Sequence, residues 1–324
     1  MSPPGTPADR QRLRRKADYL RIERPAVLSY GVGVDSTALL LELVSQGRAP
    51  DLVLTADPGA EKPETYDYLA MMGKWMDARG IEHHVVRYVT KRFKNYPPYA
   101  DLAGSLLTNG CLPSISFGRH SCSLKYKVNP QDAFIKAWVP AVDAWGRGEK
   151  VIRYIGYDAG KRDSQRYAHA ATIDDPLFDN RYPLRDWRWD RAACEARILA
   201  EGLPVPPKSS CVFCLGMSPD EIRALPPYWL RMIVLIEARA APRLKTVEGL
   251  CRRSTRSRPG RMTDFIRDER LLPEAEIDQI VAEAPTALVR FQDAVASVSV
   301  DSRPTLATWL ERFHEGTISA PATA

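Results

Sequence analysis

The sequence has no apolar run near the roughly 18 residues that a membrane-crossing helix needs, so no membrane partner is expected. Its first stretch, "MSPPGTPADRQRLRRKADYLRIERP", is basic but has no apolar centre, which speaks against a secretory signal. A cytoplasmic protein is the default expectation. Histidine is scarce: there are five, and none sits at ligand spacing. His83 and His84 are neighbours on an expected strand and point to opposite faces. Cysteine is limited to Cys111, Cys122, Cys194, Cys211, Cys214 and Cys251. In a cytosolic chain these suit thiols, metal ligands or catalysts better than disulfides. There is no internal repeat and no long low-complexity segment.

What is present is an ordinary globular composition, 44% hydrophobic and 27% charged over 324 residues. That length suits one large α/β domain with an appended part, or two domains. The net charge of +6 is a mild excess that fits a phosphate-rich partner, nucleotide or nucleic acid, and equally a solvated basic surface.

Along the chain, apolar periodicity predicts strands at 25–30, 51–57, 82–88 and 150–160, alternating with helices at 36–46, 63–80, 130–145 and 189–202. Such alternation predicts a parallel sheet flanked by helices. Residues 1–24 read as an N-terminal extension and 90–121 as an inserted loop, broken up by Pro, Gly and Asn. Residues 218–324 read as a mostly helical C-terminal region, interrupted by the basic segment 251–262 and ending in a frayed tail, "ISAPATA".

The segment with most chemistry is "SYGVGVDST", Ser29 to Thr37, between an apolar "AVL" and a helical "ALLLELV". A glycine-rich turn from strand to helix aims backbone N–H groups at an anion, and the helix N-terminus adds its positive end. Gly31 and Gly33 permit close approach. Ser36 and Thr37 offer hydroxyls in the first helical turn. Asp35 either caps the helix or holds a magnesium ion on phosphates. No Gly-Lys-Ser/Thr follows, and Ser36 stands where GxGxxG needs its third glycine, so neither P-loop nor dinucleotide fingerprint applies. On these grounds alone a plain structural turn and a phosphate cradle both stay open.

The stretch resembles the PP-loop of the ATP pyrophosphatase and PAPS reductase superfamily, usually written SGGxDS. Gly33, Val34, Asp35 and Ser36 match its second half; Gly31 and Val32 stand in place of the usual Ser and Gly. "LVLTADPGAEKPETYDYL" is similar to the family's Asp-x-Gly turn before Pro-Glu-Thr, with Asp57, Gly59, Pro63, Glu64 and Thr65. "IGYDAGKRDSQR" is similar to its Gly-x-Arg…Ser…Arg segment, with Gly156, Arg162, Ser164 and Arg166. "YPLRDW" and "GLPVPPKSSCVFC" follow in the family's order. The resemblance spans residues 27–214. It implies a PP-loop, HUP-like domain over 25–217, with ATP and Mg²⁺ held by Ser29, Gly31, Gly33, Asp35, Ser36, Thr37 and Gly156, and Asp57 near the nucleotide. Arg162 and Arg166 can fork onto phosphate or sulfate oxygens, and Lys125 can serve the same anion; a solvated loop is the alternative for each.

Cys211 and Cys214 form a CxxC that reads as a redox pair, half a metal site or two small buried residues. Its late position, after a Pro-rich loop, fits half a metal site better than a thioredoxin-like pair. "SCSLKYKVNP" resembles the segment of iron–sulfur APS reductases in which a Cys-Cys pair precedes a basic helix start, with Ser121 here in place of the first cysteine. The resemblance thus implies Cys111, Cys122, Cys211 and Cys214 as ligands of a [4Fe–4S] cluster, or of zinc. Cys194 reads as packed core. Cys251, beside Arg252 and Arg253, reads as a stray surface cysteine or a thiol of lowered pKa.

Three functions follow. An ATP-using PP-loop enzyme would adenylate an acceptor oxygen and let sulfur displace AMP, thiolating a nucleobase, nucleic acid or related acceptor, with a sulfur-donor protein as partner. A sulfonucleotide reductase would hold PAPS or APS, but its C-terminal Glu-Cys-Gly-x-His motif is absent: the last cysteine is Cys251. A zinc-stapled nucleic-acid-binding protein with a degenerate loop would use segment 251–262. The oligomeric state is left open; a homodimer is compatible with the sequence.

Overall fold

Five strands form one parallel sheet in the order β3-β2-β1-β4-β5, with β1 at Ala26–Ser29, β2 at Leu52–Ala56, β3 at His83–Val86, β4 at Val151–Ile155 and β5 at Phe178–Arg181. The structure is a computed structural model that describes residues 24–91, 97–119, 121–256, 258–295, 297–299 and 302–314. The N-terminal extension expected over 1–24, apart from Arg24, and the tail "ISAPATA" lie outside the described residues.

Side-chain alternation sorts the strands between two apolar layers. Leu28, Val53 and Tyr154 face one layer, with helices α1 (Val34–Ser45) and α2 (Pro63–Asp77). Val27, Leu52, Leu54 and Val151 face the other, with Ile135, Ala141 and Ala144. Helices therefore cover both faces, which is why the central strands are largely apolar.

β5 was not expected, because "FDNR" offers one apolar residue and no β-branched one. It pairs on the sheet edge with β4, Phe178 opposite Val151, and Phe178 alone supplies its core contact at 4% exposure. The expected loop 90–121 contains a helix, α3 (Leu102–Asn109). Asp101 caps it by accepting a hydrogen bond from the Gly104 amide at 2.6 Å, and Gly110 ends it in the left-handed conformation. The expected helix over 130–145 is broken. After α4 (Ser121–Ser123) and a π-helical turn (Leu124–Val128), α5 (Asn129–Ile135) stops, and α6 (Val139–Gly146) restarts with Pro140 in its first turn.

Beyond β4 come α7 (Lys161–Ala170), α8 (Pro183–Asp186) and α9 (Arg191–Ala200), which packs along α1. The C-terminal region is helical, as expected: α10 (Pro219–Arg223), α11 (Pro227–Ala240), α12 (Met262–Asp268), α13 (Glu274–Val295) and α14 (Leu306–His314). α11 is its axis, with nine successive residues buried from Met232 through Ala240. It packs on α3, α12, α13 and α14, so the insertion and the C-terminal helices share one core. No helix among the described residues is long and apolar enough to cross a membrane.

Candidate functional site

The strand order reverses between β1 and β4, and the loops that leave those two strands diverge there. In open parallel sheets this is where a crevice forms at the carboxyl ends of the strands. A cavity of about 760 Å³ lies at that place. Its floor is the glycine loop after β1 with the first turn of α1, and its other wall is the loop after β4 with the start of α7.

The structure brings Ser29, Gly31, Gly33, Asp35, Ser36, Gly156 and Arg166 into this cavity. Ser36 Oγ accepts from the Gly31 amide and donates to the Gly33 carbonyl, both at 3.2 Å, and this pair of bonds shapes the loop. Val32 is left-handed, φ +57°, and buried beneath the loop. A β-branched residue held there stores backbone strain of roughly 1–2 kcal/mol. Gly156 touches the start of α1: a Cβ built on it would lie 2.9 Å from the Ser36 amide nitrogen.

Thr37 is turned away. It is fully buried and its hydroxyl shares a 3.0 Å hydrogen bond with the Tyr30 hydroxyl. Arg162 lies in the first turn of α7 beside the cavity; its side chain lies outside the described residues. Lys125 is not in this cavity. Its ammonium sits over the rings of Tyr88 and Tyr126, at 4.8 and 5.1 Å, and it lines a separate cavity of about 270 Å³ together with Cys122.

Several groups here were not singled out from sequence. Arg191 Nη1 donates to Asp35 Oδ1 at 3.0 Å. Burial pushes the Asp35 carboxyl above its ordinary value; Arg191 opposes this, while Asp158 and Asp163 add to it. Lys161 and Lys208 add two cations to the wall. The cavity therefore pairs a helix N-terminus and cations with carboxylates, a set suited to a polyphosphate and its counter-ion. Asp190 caps α9 through the Ala193 amide at 3.0 Å, and that cap presents Arg191 to the cavity; a capping Asp before a helical run was the one local signal.

Asp57, buried at the end of β2, belongs to a second, smaller cavity that Gly31 and Ser209 also line. Its carboxylate accepts from the Tyr66 hydroxyl at 2.8 Å, the Gly59 amide at 2.7 Å and Arg87 Nε at 2.8 Å. Next to it Lys127 pairs with buried Glu61 at 2.6 Å.

The cysteine loop is sewn onto this edge. Glu61 and Cys211 form an antiparallel bridge, and the Val212 amide donates to the Ala60 carbonyl at 2.9 Å. Glu221 ties the same loop down through Lys62 at 2.8 Å and Lys208 at 3.0 Å. Burial works to raise the Glu221 carboxyl, but Lys62, the Ser218 amide and Lys208 outweigh it and hold it at about 2. A depressed carboxylate contributes stability that is present above its ordinary value of 4.5 and lost as pH falls toward about 2. In acid denaturation, the stability gap between the protein and its Glu221→Gln variant should therefore close across that window.

Cys122, Cys211 and Cys214 all pack against the C-terminal core. Cys122 and Cys214 lie near enough to Cys211 to act on it electrostatically. Burial foremost, then Glu61, pushes the Cys211 thiol far up, with Lys127 pulling the other way. Cys111 is exposed, and the charged groups facing it are Arg243 and Lys125. Cys251 is not a surface residue. It is 6% exposed, its thiol is pushed up to about 11 by burial, and Cys214 is among its neighbours. The arginines beside it in sequence point outward, so they do not lower its pKa. Cys194 is fully buried, as expected. Among the described residues no three His, Cys, Asp or Glu side chains converge in metal-holding geometry.

The two neighbourhoods are joined by the chain itself. Lys208 and Ser209 line the large cavity, and Cys211 is two residues on, its Cα no more than about 8 Å from that of Ser209. No family model matches the chain, and no curated protein matches it.

Proposed function

We propose that the chain is a PP-loop ATP pyrophosphatase that adenylates an acceptor and supports transfer of sulfur to it. The observation that carries this reading is the cavity between β1 and β4, where a glycine loop, a helix N-terminus and Asp35 share one lining with Lys208 and Ser209, the residues that lead into the cysteine loop. Val32 adds support: at the position the PP-loop pattern gives to glycine, it keeps the left-handed conformation that glycine favours.

In the proposed reaction an oxygen of the acceptor attacks the α-phosphorus of ATP. The bond to the bridging oxygen breaks and pyrophosphate leaves. A sulfur nucleophile, brought by a donor protein, then attacks the carbon that carries AMP. The C–S bond forms, the C–O bond breaks and AMP departs. The amides of the 31–36 loop hold the leaving pyrophosphate, and Arg166, Arg191 and Lys161 offset the charge that builds on it. Asp35 would hold Mg²⁺, which when bound neutralises phosphate charge. No step is routed through a metal cluster; Cys111, Cys122, Cys211 and Cys214 would hold one if it is bound.

Two measurements test this. ATP with Mg²⁺ and candidate acceptors should yield pyrophosphate rather than inorganic phosphate, and Asp35→Ala should lower the rate by about 100-fold. Release of inorganic phosphate, or no ATP binding by equilibrium dialysis, overturns the reading. Metal analysis after anaerobic purification addresses the thiols: about four irons per chain with a broad visible band, lost in Cys211→Ser, supports a cluster. Stoichiometric zinc replaces it with a structural site.

A further inference from the structure

We propose that an unpaired stretch of nucleic acid docks across the arginine loop between α11 and α12, with one base stacked on Phe117. This rests on the sulfur-transfer reading above and gives that reaction its acceptor class.

Residues 249–262 carry arginines at 252, 253, 256, 258 and 261 and no acidic residue. Arg252, Arg253 and Arg256 are exposed. The loop's described residues are nonetheless tied together. The Glu248 amide donates to the Arg252 carbonyl at 2.6 Å, Glu248 accepts from the Ser254 hydroxyl at 2.5 Å, and the Gly260 amide donates to Ser254 Oγ at 3.0 Å. Buried Glu237 accepts hydrogen bonds from the amides of Leu250 and Met262 at the two ends of the loop and from that of Thr263 just beyond it. Arginines on a fixed loop lose little freedom on meeting phosphates, unlike those on a loose tail.

Phe117 gives the surface its selectivity. At 39% exposure it is the one exposed Phe, Tyr or Trp among the described residues. It is locked beside the arginines: the Ser116 hydroxyl donates to the Leu250 carbonyl at 3.0 Å, and a Cβ on Gly118 would lie 2.8 Å from Arg252 Nη2. An exposed ring among arginines stacks on the face of an unpaired base, whereas a duplex hides its base faces. Backbone phosphates and base faces are common to DNA and RNA, so the surface reads features both share.

The cysteine-bearing segments adjoin this ridge. Arg258 Nη1 reaches the Leu215 carbonyl at 3.4 Å, next to Cys214. The Cys122 amide donates to Ser114 Oγ at 2.9 Å, in the turn that carries Phe117. Cys251 is part of the loop itself. A strand held on the ridge is therefore held beside the segments that carry Cys122, Cys214 and Cys251.

The test is fluorescence anisotropy, without ATP, on labelled single strands of mixed sequence, one DNA and one RNA, roughly 20 nucleotides long and so longer than one site of this kind. The blunt duplex of the same sequence is the competitor class. At least one single strand should bind about tenfold more tightly than the duplex. Phe117→Ala should weaken it about tenfold. The double variant Arg253→Gln/Arg256→Gln should reduce the slope of log K against log salt by roughly 1.4. Both variants change exposed side chains, so their melting should match the parent. Tighter binding to duplex, or single-strand binding unchanged in both variants, overturns the docking surface. Asp35→Ala should bind the strands normally. Strand binding with no pyrophosphate release in any form of the protein would sink the enzymatic reading alone; pyrophosphate release with no strand binding would sink the docking surface alone.

Discussion

Gly156→Ala should fold with a modest loss of stability and lose about 100-fold in pyrophosphate release. The added methyl would lie 2.9 Å from the Ser36 nitrogen, 3.0 Å from its Cα and 3.1 Å from the Asp35 carbonyl carbon. All three are backbone atoms at the start of α1, so no side chain can swing aside. Either the β4 loop or the first turn of α1 must move, at a cost of roughly 1–3 kcal/mol. The larger effect is on the site. The same turn carries the amides aimed at the phosphates and the carboxylate of Asp35, and a misplacement near 1 Å costs about 100-fold in rate. Gly33→Ala is the companion. Its backbone has φ −102°, which any residue adopts, and a Cβ there meets nothing within 4 Å. It should melt with the parent, yet set a methyl in the space the phosphates need and weaken ATP binding. If both variants release pyrophosphate at the parental rate, the cavity is not the nucleotide site.

The glycine loop was legible because its pattern is local: a strand, two glycines, hydroxyls and a helix in nine residues. The inner strands β1, β2 and β4 were legible because cover on both faces makes them largely apolar. Local pattern does not show which distant segment completes a site. Arg191, Lys208, Asp158 and Asp163 reach the cavity from other segments, two of them helix starts, and only the sheet order brings them there. Lys125 and Lys127 look alike in sequence, but positions two apart on a helical turn do not share a side. Lys127 meets Glu61 and Lys125 turns to Tyr88. The helix in the insertion was hidden for a different reason. "LAGSLLT" is small and apolar, so its packing on α11 holds it together, and its Gly content argues against helix on propensity alone.

Glu237→Leu should lower stability by roughly 3–5 kcal/mol, as removal of one side of a buried charged network does. Glu237 Oε1 accepts from the amides of Leu250 at 2.7 Å and Met262 at 3.0 Å. Its Oε2 accepts from the Thr263 amide at 2.8 Å and hydroxyl at 2.6 Å. Burial pushes this carboxyl above its ordinary value, with the Thr263 hydroxyl and the three amides opposing the rise. Leucine fills much the same volume but accepts nothing, so three amides at both ends of the arginine loop are left unpaired in the core. The melting temperature should fall by on the order of 10 °C. Hydrogen exchange separates a local from a global effect: the amides of Leu250, Met262 and Thr263 should lose protection first, while those of β1 and β4 keep theirs. The variant also ties stability to the proposed docking surface, because a loop freed from Glu237 keeps every arginine but not their arrangement. Single-strand binding should weaken in Glu237→Leu below its melting point although no charge on the ridge has changed. Unaltered binding would mean that charge alone, and not the shape Glu237 imposes, draws the strand.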